Sequence, residues 1–345
     1  CRPAPALSSG AVRPAPHLGG LPVTHRLDRR FLLHLTLAAA AAGLVASRAV
    51  ALDPRYRDTD GDLVADPPED PARWVDPSNL VFTYTPAEDP SLYARIFAEL
   101  VDHLARRTGR KVQFLQVQSN AAMVEAMRAG RLHVAGFNPG TTPLAVNCAG
   151  FVPFAMMAAK DGSFGYRMEI ITHPGSGIAK VEDLRGRVLA FTAETSNSGY
   201  KAPSAILRDR FGLVAGRDYT PVFSGKHDNS ILGVAHRDYP AAAVADSIRN
   251  RMIARGMIRA EDLVVIFRSE PFPTSAFGHA HDLHPDLART IREALFDFPW
   301  EGTEFAREFA KHDPPLERFV PIRYHETYAI VREIDRALGV RYECR

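Results

Sequence analysis

From residue 79 onward the chain alternates short β-branched or aromatic runs with segments of helical period, a pattern that confines it to layered α/β architectures. Residues 80–85 (LVFTYT) read as a strand. Residues 91–107 carry Tyr93, Phe97, Leu100, Val101 and Leu104 at helical spacing and stop at Thr108-Gly109. A strand over 112–117, a short helix over 120–129 and a strand over 132–137 complete a β-α-β-α-β unit, which predicts a mostly parallel sheet flanked by helices. The alternation then repeats. Strands are expected at 168–172, 188–191, 221–223, 241–245 and 263–267, with helices at 200–211, 228–236 and 247–255 between them. Helical segments at 284–296 and 324–338 close the chain. The expected organisation is two α/β lobes, 79–170 with 268–345 as the first and 171–267 as the second, preceded by an exposed Asp- and Pro-rich lead-in at 52–78.

The N-terminal part reads differently. Arg29-Arg30 precede an apolar stretch over 31–45, and Ala49-Val50-Ala51 offers a cleavage site before Leu52, so 27–51 is expected to be an export signal. The run D-R-R-F-L-L resembles a twin-arginine signal. Residues 1–20, rich in Pro and Ala, are set aside as an upstream extension, and 1–51 as a whole is kept out of the fold. This segment contributes six Arg against one Asp, so the rest of the chain carries 36 basic and 39 acidic residues, a net of −3. That balance argues against a nucleic-acid partner. Beyond Cys1 only Cys148 and Cys344 remain; in an oxidising compartment they could pair, and no cysteine spacing resembles a zinc site.

Five expected strand ends carry polar side chains, at Thr83-Tyr84-Thr85, at 137–142, at 192–198, at 224–229 and at Ala245-Asp246-Ser247. Open sheets bind ligands beyond the carboxyl ends of their strands, so five such ends suggest a polar ligand between lobes. The third is the most telling. Residues 192–200 read T-A-E-T-S-N-S-G-Y between a strand and a helix, which brings Thr195, Ser196, Asn197 and Ser198 to the free N–H groups of a helix start. Such a turn suits a small oxyanion held without covalent chemistry; it also suits an ordinary N-cap.

The order of a Y-T-P segment, G-R-L-H-V-A-G-F-N-P-G, E-T-S-N-S-G-Y and S-G-K-H-D-N-S-I-L-G-V-A resembles the periplasmic phosphonate/phosphite/phosphate-binding proteins of ABC transporters, from about residue 80 to the C-terminus. The resemblance implies a two-lobed type II periplasmic binding protein fold with a hinge, closing on an oxyanion and delivering it to an inner-membrane ABC permease. It implies further that the chain is a periplasmic monomer without cofactor or catalysis. By the same resemblance Ser196, Asn197 and Ser198 would grip the phosphoryl oxygens, with Asn197 standing where the family commonly has Thr. His227 would bond another oxygen, Asp246 would accept a ligand proton or bond an amino substituent, and Tyr84 would stand at the end of the first strand. Phe137 and Asn120 fall where tyrosines are common, which disfavours an aminoalkylphosphonate and leaves phosphate, phosphite or another small anion; Asn138 follows at the same strand end.

Each of these residues also has a plain structural reading. His227 and Asp246 could cap helices, Tyr84 could pack in the sheet, and Phe137 could be a hydrophobic wall. A His227 in contact with ligand would make affinity vary around its pKa. His279, His281 and His284 lack a matched carboxylate and are not expected to bind metal. Two functions compete with phosphorus-oxyanion transport: a receptor for another anion such as a sulfonate, and an enzyme using Ser196 or Ser198 with His227 and Asp246. No nucleophile-elbow sequence supports the enzyme.

Overall fold

The computed structural model describes residues 52–344; the expectations for 1–51 lie outside the described residues. The chain first lays down β1 (Asn79–Tyr84), α1 (Pro90–Ile96), α2 (Ala98–Thr108), β2 (Lys111–Phe114), α3 (Asn120–Arg128), β3 (Val134–Phe137), α4 (Thr142–Ala149) and β4 (Phe151–Ala158). It then crosses to a second sheet and builds β5 (Met168–Thr172), β6 (Val188–Phe191), a π-helical turn (Asn197–Lys201) running into α5 (Ala202–Phe211), and β7 (Thr220–Phe223). This lobe ends with α6 (His227–Ala235), β8 (Ala241–Ala245), α7 (Asp246–Ala254) and β9 (Val264–Arg268). The return crossing leads to β10 (Ala276–Ala280), α8 (Pro285–Phe296), α9 (Glu304–Phe309), β11 (Arg318–Pro321), α10 (Tyr324–Thr327) and α11 (Ala329–Ala337).

The first sheet has six strands in the order β11-β4-β10-β3-β1-β2, the second five in the order β7-β6-β8-β5-β9. Strands β1–β4 run one way and β10 and β11 against them; β6–β9 run one way and β5 against them. Each sheet has its own core. Phe82, Phe97, Phe277, Phe305 and Phe309 pack together in the first lobe; Ile170, Ile171, Leu189 and Phe191 do so in the second. Strand β8 (AAAVA) is buried throughout, and its small side chains let flanking helices approach closely. Strand β5 lies wholly in the second sheet, so the outward crossing precedes residue 168.

The two crossings pair with each other. Tyr166 N–H donates to the Phe272 carbonyl (3.1 Å) and Phe272 N–H to the Tyr166 carbonyl (2.8 Å), a short antiparallel bridge that forms the hinge. The C-terminal segment makes a further contact between lobes. Helix α11 sets Val331 in the first core and Ile334 in the second, and the Arg208 guanidinium of α5 donates to the Ala337 carbonyl (3.0 Å). The tail then returns to the first lobe through a Cys148–Cys344 disulfide with a Cα–Cα distance of 5.0 Å.

Three strands, β4, β10 and β11, were not expected from the sequence. The first two are buried almost throughout, so an alternating pattern is missing. The expected helix over 324–338 breaks at Tyr328, whose hydroxyl donates to the Thr274 carbonyl (2.6 Å). The lead-in is tied to the first lobe by Asp53 N–H on the Asn147 carbonyl and by a bridge between Val75 and Leu283.

Candidate functional site

Between the lobes lies a cavity of about 80 Å³, lined from the first lobe by Tyr84, Thr85, Asn120, Asn138, Thr274 and Ser275 and from the second by Thr192, Ser196, Asn197, Ser198, His227 and Arg251. The serine turn forms its second-lobe wall. Ser196, Asn197 and Ser198 are all buried and sit where β6 ends and the π-helical turn begins. Gly199 keeps this turn tight: a Cβ would stand 2.8 Å from the Ser196 Oγ and closer still to the Thr192 side chain, both of which would have to shift.

Hydrogen-bond logic orients the Ser196 hydroxyl. The Ala245 N–H donates to His227 Nδ1 (3.2 Å), which leaves the imidazole proton on Nε2. That Nε2–H faces the Ser196 Oγ at 3.3 Å, and the Gly199 N–H also donates to the same oxygen (3.0 Å). With two donors already on its oxygen, Ser196 has its own proton free to donate into the cavity. His227 stays neutral: burial first, then the Arg251 charge, push its pKa down to about 3.

Asn197 Nδ2 donates to the Tyr166 hydroxyl (3.0 Å), a phenol carried on the hinge itself. Turned over, the same amide would accept from Tyr166 and present Nδ2 to the cavity. Burial pushes the Tyr166 phenol up to about 12. On the first-lobe side Tyr84 shares a hydrogen bond with Ser275 (3.0 Å), while Asn138 donates to Thr85 and Thr141 (both 2.9 Å). Four buried polar atoms on lining residues, Thr192 Oγ1, Asn197 Oδ1, Arg251 Nε and His312 Nδ1, have no hydrogen-bond partner in the protein. Arg251 donates to His312 Nε2 (3.1 Å), which puts the histidine proton on the partnerless Nδ1. Two of the four are therefore fixed donors, Arg251 Nε lying 3.8 Å from Glu308 Oε1, the Thr192 hydroxyl can be a third, and Asn197 Oδ1 accepts. Donors thus outnumber acceptors among these four atoms.

Six of the nine residues singled out in the sequence line this cavity: Tyr84, Asn138, Ser196, Asn197, Ser198 and His227. The other three do not. Phe137 is fully buried with its ring against Phe151 (4.8 Å between centroids), because successive strand residues face opposite ways and Asn138 takes the cleft side. Thr195 lies at the lobe contact, accepting from Asn120 Nδ2 (3.0 Å) on its hydroxyl. Asp246 accepts from Arg167 N–H (3.0 Å) and Ser247 N–H (2.6 Å), tying α7 to the start of β5, and burial pushes its carboxyl up to about 6.

The family described as ABC transporter, phosphonate, periplasmic substrate-binding protein matches residues 82–328. The chain belongs to this family. Among its relatives, the phosphate-import protein PhnD of Mycolicibacterium smegmatis is 28% identical over 226 residues, spanning 63% of this chain and 70% of that protein. A binding-protein component of an ABC phosphonate transporter from Pseudomonas aeruginosa superposes with a TM-score of 0.67 at 18% identity, covering 75% of this chain and 86% of the other. PhnD1 from Prochlorococcus marinus, solved with methylphosphonate, gives a TM-score of 0.67 at 16% identity, over 77% of this chain and 100% of its own. These structures carry the two-lobe type II periplasmic binding protein fold. The phosphonate-family protein is thus a solute-binding receptor of an ABC transporter, and its family is periplasmic. Among its described residues no helix is long and apolar enough to cross a membrane.

Sequence reasoning passed over Tyr166, Ser275, His312 and above all Arg251 of this substrate-binding protein. One signal was available. Arg251 shares the buried stripe of α7 with Ile248 and Met252, where a charge needs a partner.

Proposed function

We propose that this receptor captures a small phosphorus oxyanion, inorganic phosphate foremost, between its lobes and hands it to a membrane permease, acting as a monomer without catalysis. The observation that carries the reading is the Ser196 hydroxyl, whose oxygen is occupied by two N–H groups so that its proton is left for an acceptor. Around it stand the Arg251 and His312 donors, and the buried Arg251 charge is already balanced by Glu88. Neutral donors hold an anion firmly enough for capture and loosely enough for release, each charge-assisted bond contributing roughly 1.5–3 kcal/mol. Asn120, where a tyrosine would favour an aminoalkylphosphonate, is instead spent on the bond to Thr195.

The same protons speak against a serine nucleophile. A general base would need a free nitrogen toward Ser196, whereas His227 turns its N–H that way. Asp246 bonds main-chain amides and does not orient the imidazole.

A melting-temperature screen tests the reading, since a ligand that binds the folded state raises the melting point by mass action. Phosphate and phosphite are expected to give larger shifts than aminoethylphosphonate, with affinity confirmed by calorimetry. The reverse order, or a larger shift with a sulfonate, would overturn it.

A further inference from the structure

Gly140 lies in the loop between β3 and α4 of the first lobe, buried against the serine turn of the second. A Cβ placed on it would stand 2.5 Å from the Asn197 nitrogen, 2.9 Å from the Ser196 carbonyl carbon, and closer still to the Thr195 carbonyl oxygen. All three nearest atoms are main chain, so no side chain can swing away to make room, and all three belong to the opposite lobe. The Gly140 backbone lies outside the left-handed region, so alanine at this position is conformationally permitted within its own lobe. The requirement for glycine thus comes from the contact between the lobes alone.

The surrounding contacts converge on the same spot. The Gly140 carbonyl accepts from Lys201 Nζ (2.7 Å), Thr141 Oγ1 donates to the Thr195 carbonyl (3.3 Å), and Asn120 Nδ2 donates to Thr195 Oγ1 (3.0 Å). Thr85 and Asn138 brace this group from behind, through Thr85 Oγ1 on Asn120 Oδ1 (2.7 Å) and Asn138 Nδ2 on Thr85 Oγ1 (2.9 Å).

We propose that Gly140 is the seat on which the lobes close, a positioning residue that reads the serine turn from the opposite lobe. Its missing side chain lets the first-lobe loop lie directly on the 195–197 backbone. That backbone continues into Ser198, so an anion that orders the turn also firms the surface on which Gly140 lands. Closure and occupancy are coupled at one backbone contact. The coupling to occupancy rests on the proposed oxyanion reading; the steric seat does not.

The test uses the whole receptor carrying Gly140→Ala or Gly140→Val. Without ligand, both variants should melt close to the wild type, because each lobe folds without the contact. Calorimetric affinity for inorganic phosphate should weaken by about tenfold or more in Gly140→Ala and further in Gly140→Val. Closure itself is read independently of any ligand by placing thiols at the lobe contact (Asn120→Cys with Thr195→Cys) and timing their capture by a short bis-maleimide. Capture should slow by about tenfold when Gly140→Ala is added. An unchanged capture rate, or unchanged phosphate affinity in a wild type that binds phosphate, would overturn the seat. Slowed capture in a receptor that binds neither phosphate nor methylphosphonate would uphold the seat and overturn the oxyanion reading.

Discussion

Glu88 of the first lobe and Arg251 of the second meet at 2.5 Å, carboxylate on guanidinium, with almost no exposure of either side chain. Tyr93 shares the carboxylate, and Arg255 donates to its other oxygen at 2.7 Å while also bonding Glu308. The opposite charge of Glu88 holds Arg251 protonated beyond the usual arginine range against the cost of burial. Arg251→Met leaves the buried Glu88 carboxylate with Arg255 and Tyr93 alone, so the loss in urea denaturation should fall below the roughly 3–5 kcal/mol of a charge left wholly uncompensated. Replacing both, as Glu88→Leu with Arg251→Met, should recover most of that loss. A double variant as unstable as the single one would show that packing, not charge, dominates.

Ser196→Ala removes the proton that faces the cavity. Phosphate affinity should fall by about 1.5–3 kcal/mol, roughly ten- to a hundredfold, in isothermal titration. An unchanged dissociation constant would move the anion elsewhere.

A His227 in contact with ligand is expected to make affinity vary around its pKa, and burial places that pKa below the physiological range. An imidazole with a pKa near 3 does not titrate in the physiological range, so the ratio of wild-type to His227→Gln phosphate affinity should stay constant from pH 5 to 8. An inflection in that ratio near pH 6 would mean that the ligated imidazole gains a proton.

Fold stability should respond to acid instead. His227 is held down to about 3 and His279 to about 4, both chiefly by burial, from an ordinary 6.5. Groups lowered in the folded state contribute stability that is complete above pH 6.5 and lost as pH falls toward the folded values. Asp246 has the opposite sign. Burial raises it from 3.8 to about 6, so its contribution is complete below pH 3.8 and lost as pH rises through 6, a swing on the order of 3 kcal/mol. Asp246→Asn should therefore gain on the wild type between pH 4 and 7, and His227→Gln should lose less than the wild type between pH 6.5 and 4.5. Parallel melting curves against pH would refute both assignments.

Reducing the Cys148–Cys344 bond, or Cys148→Ala with Cys344→Ala, releases a tail that closes a loop of sequence separation 196. Removing a native bridge of this kind commonly costs about 2–5 kcal/mol, read as a lower urea midpoint under reductant. A midpoint unmoved by reductant would mean that the tail stays docked without it.

The sequence made the second lobe easiest to read, because its short strands at 188–191 and 241–245 stand between clear helices. It hid β4 and β10, whose runs F-V-P-F-A-M-M-A and A-F-G-H-A are covered on both faces and so lack alternation. At the site, residue type announced the serine turn, since hydroxyls, an amide and a glycine cluster there. Whether a residue faces the cleft is a matter of strand parity, which is why Phe137 and Asn138 part company despite being adjacent. Arg251, Tyr166 and Gly140 matter through partners more than thirty residues away along the chain, and nothing local to them spells out those partners.

Helix α11 leans on the second lobe, yet the chain enters it from the first and is covalently fastened back to the first at Cys148. Both ends of that segment travel with one body while its middle rests on the other. Any swing of the second lobe away from the first must therefore either peel α11 from α5 or stretch a span that cannot come undone at its far end. In an oxidising compartment the helix stays behind with the first lobe, and the second opens only by giving up its grip on it.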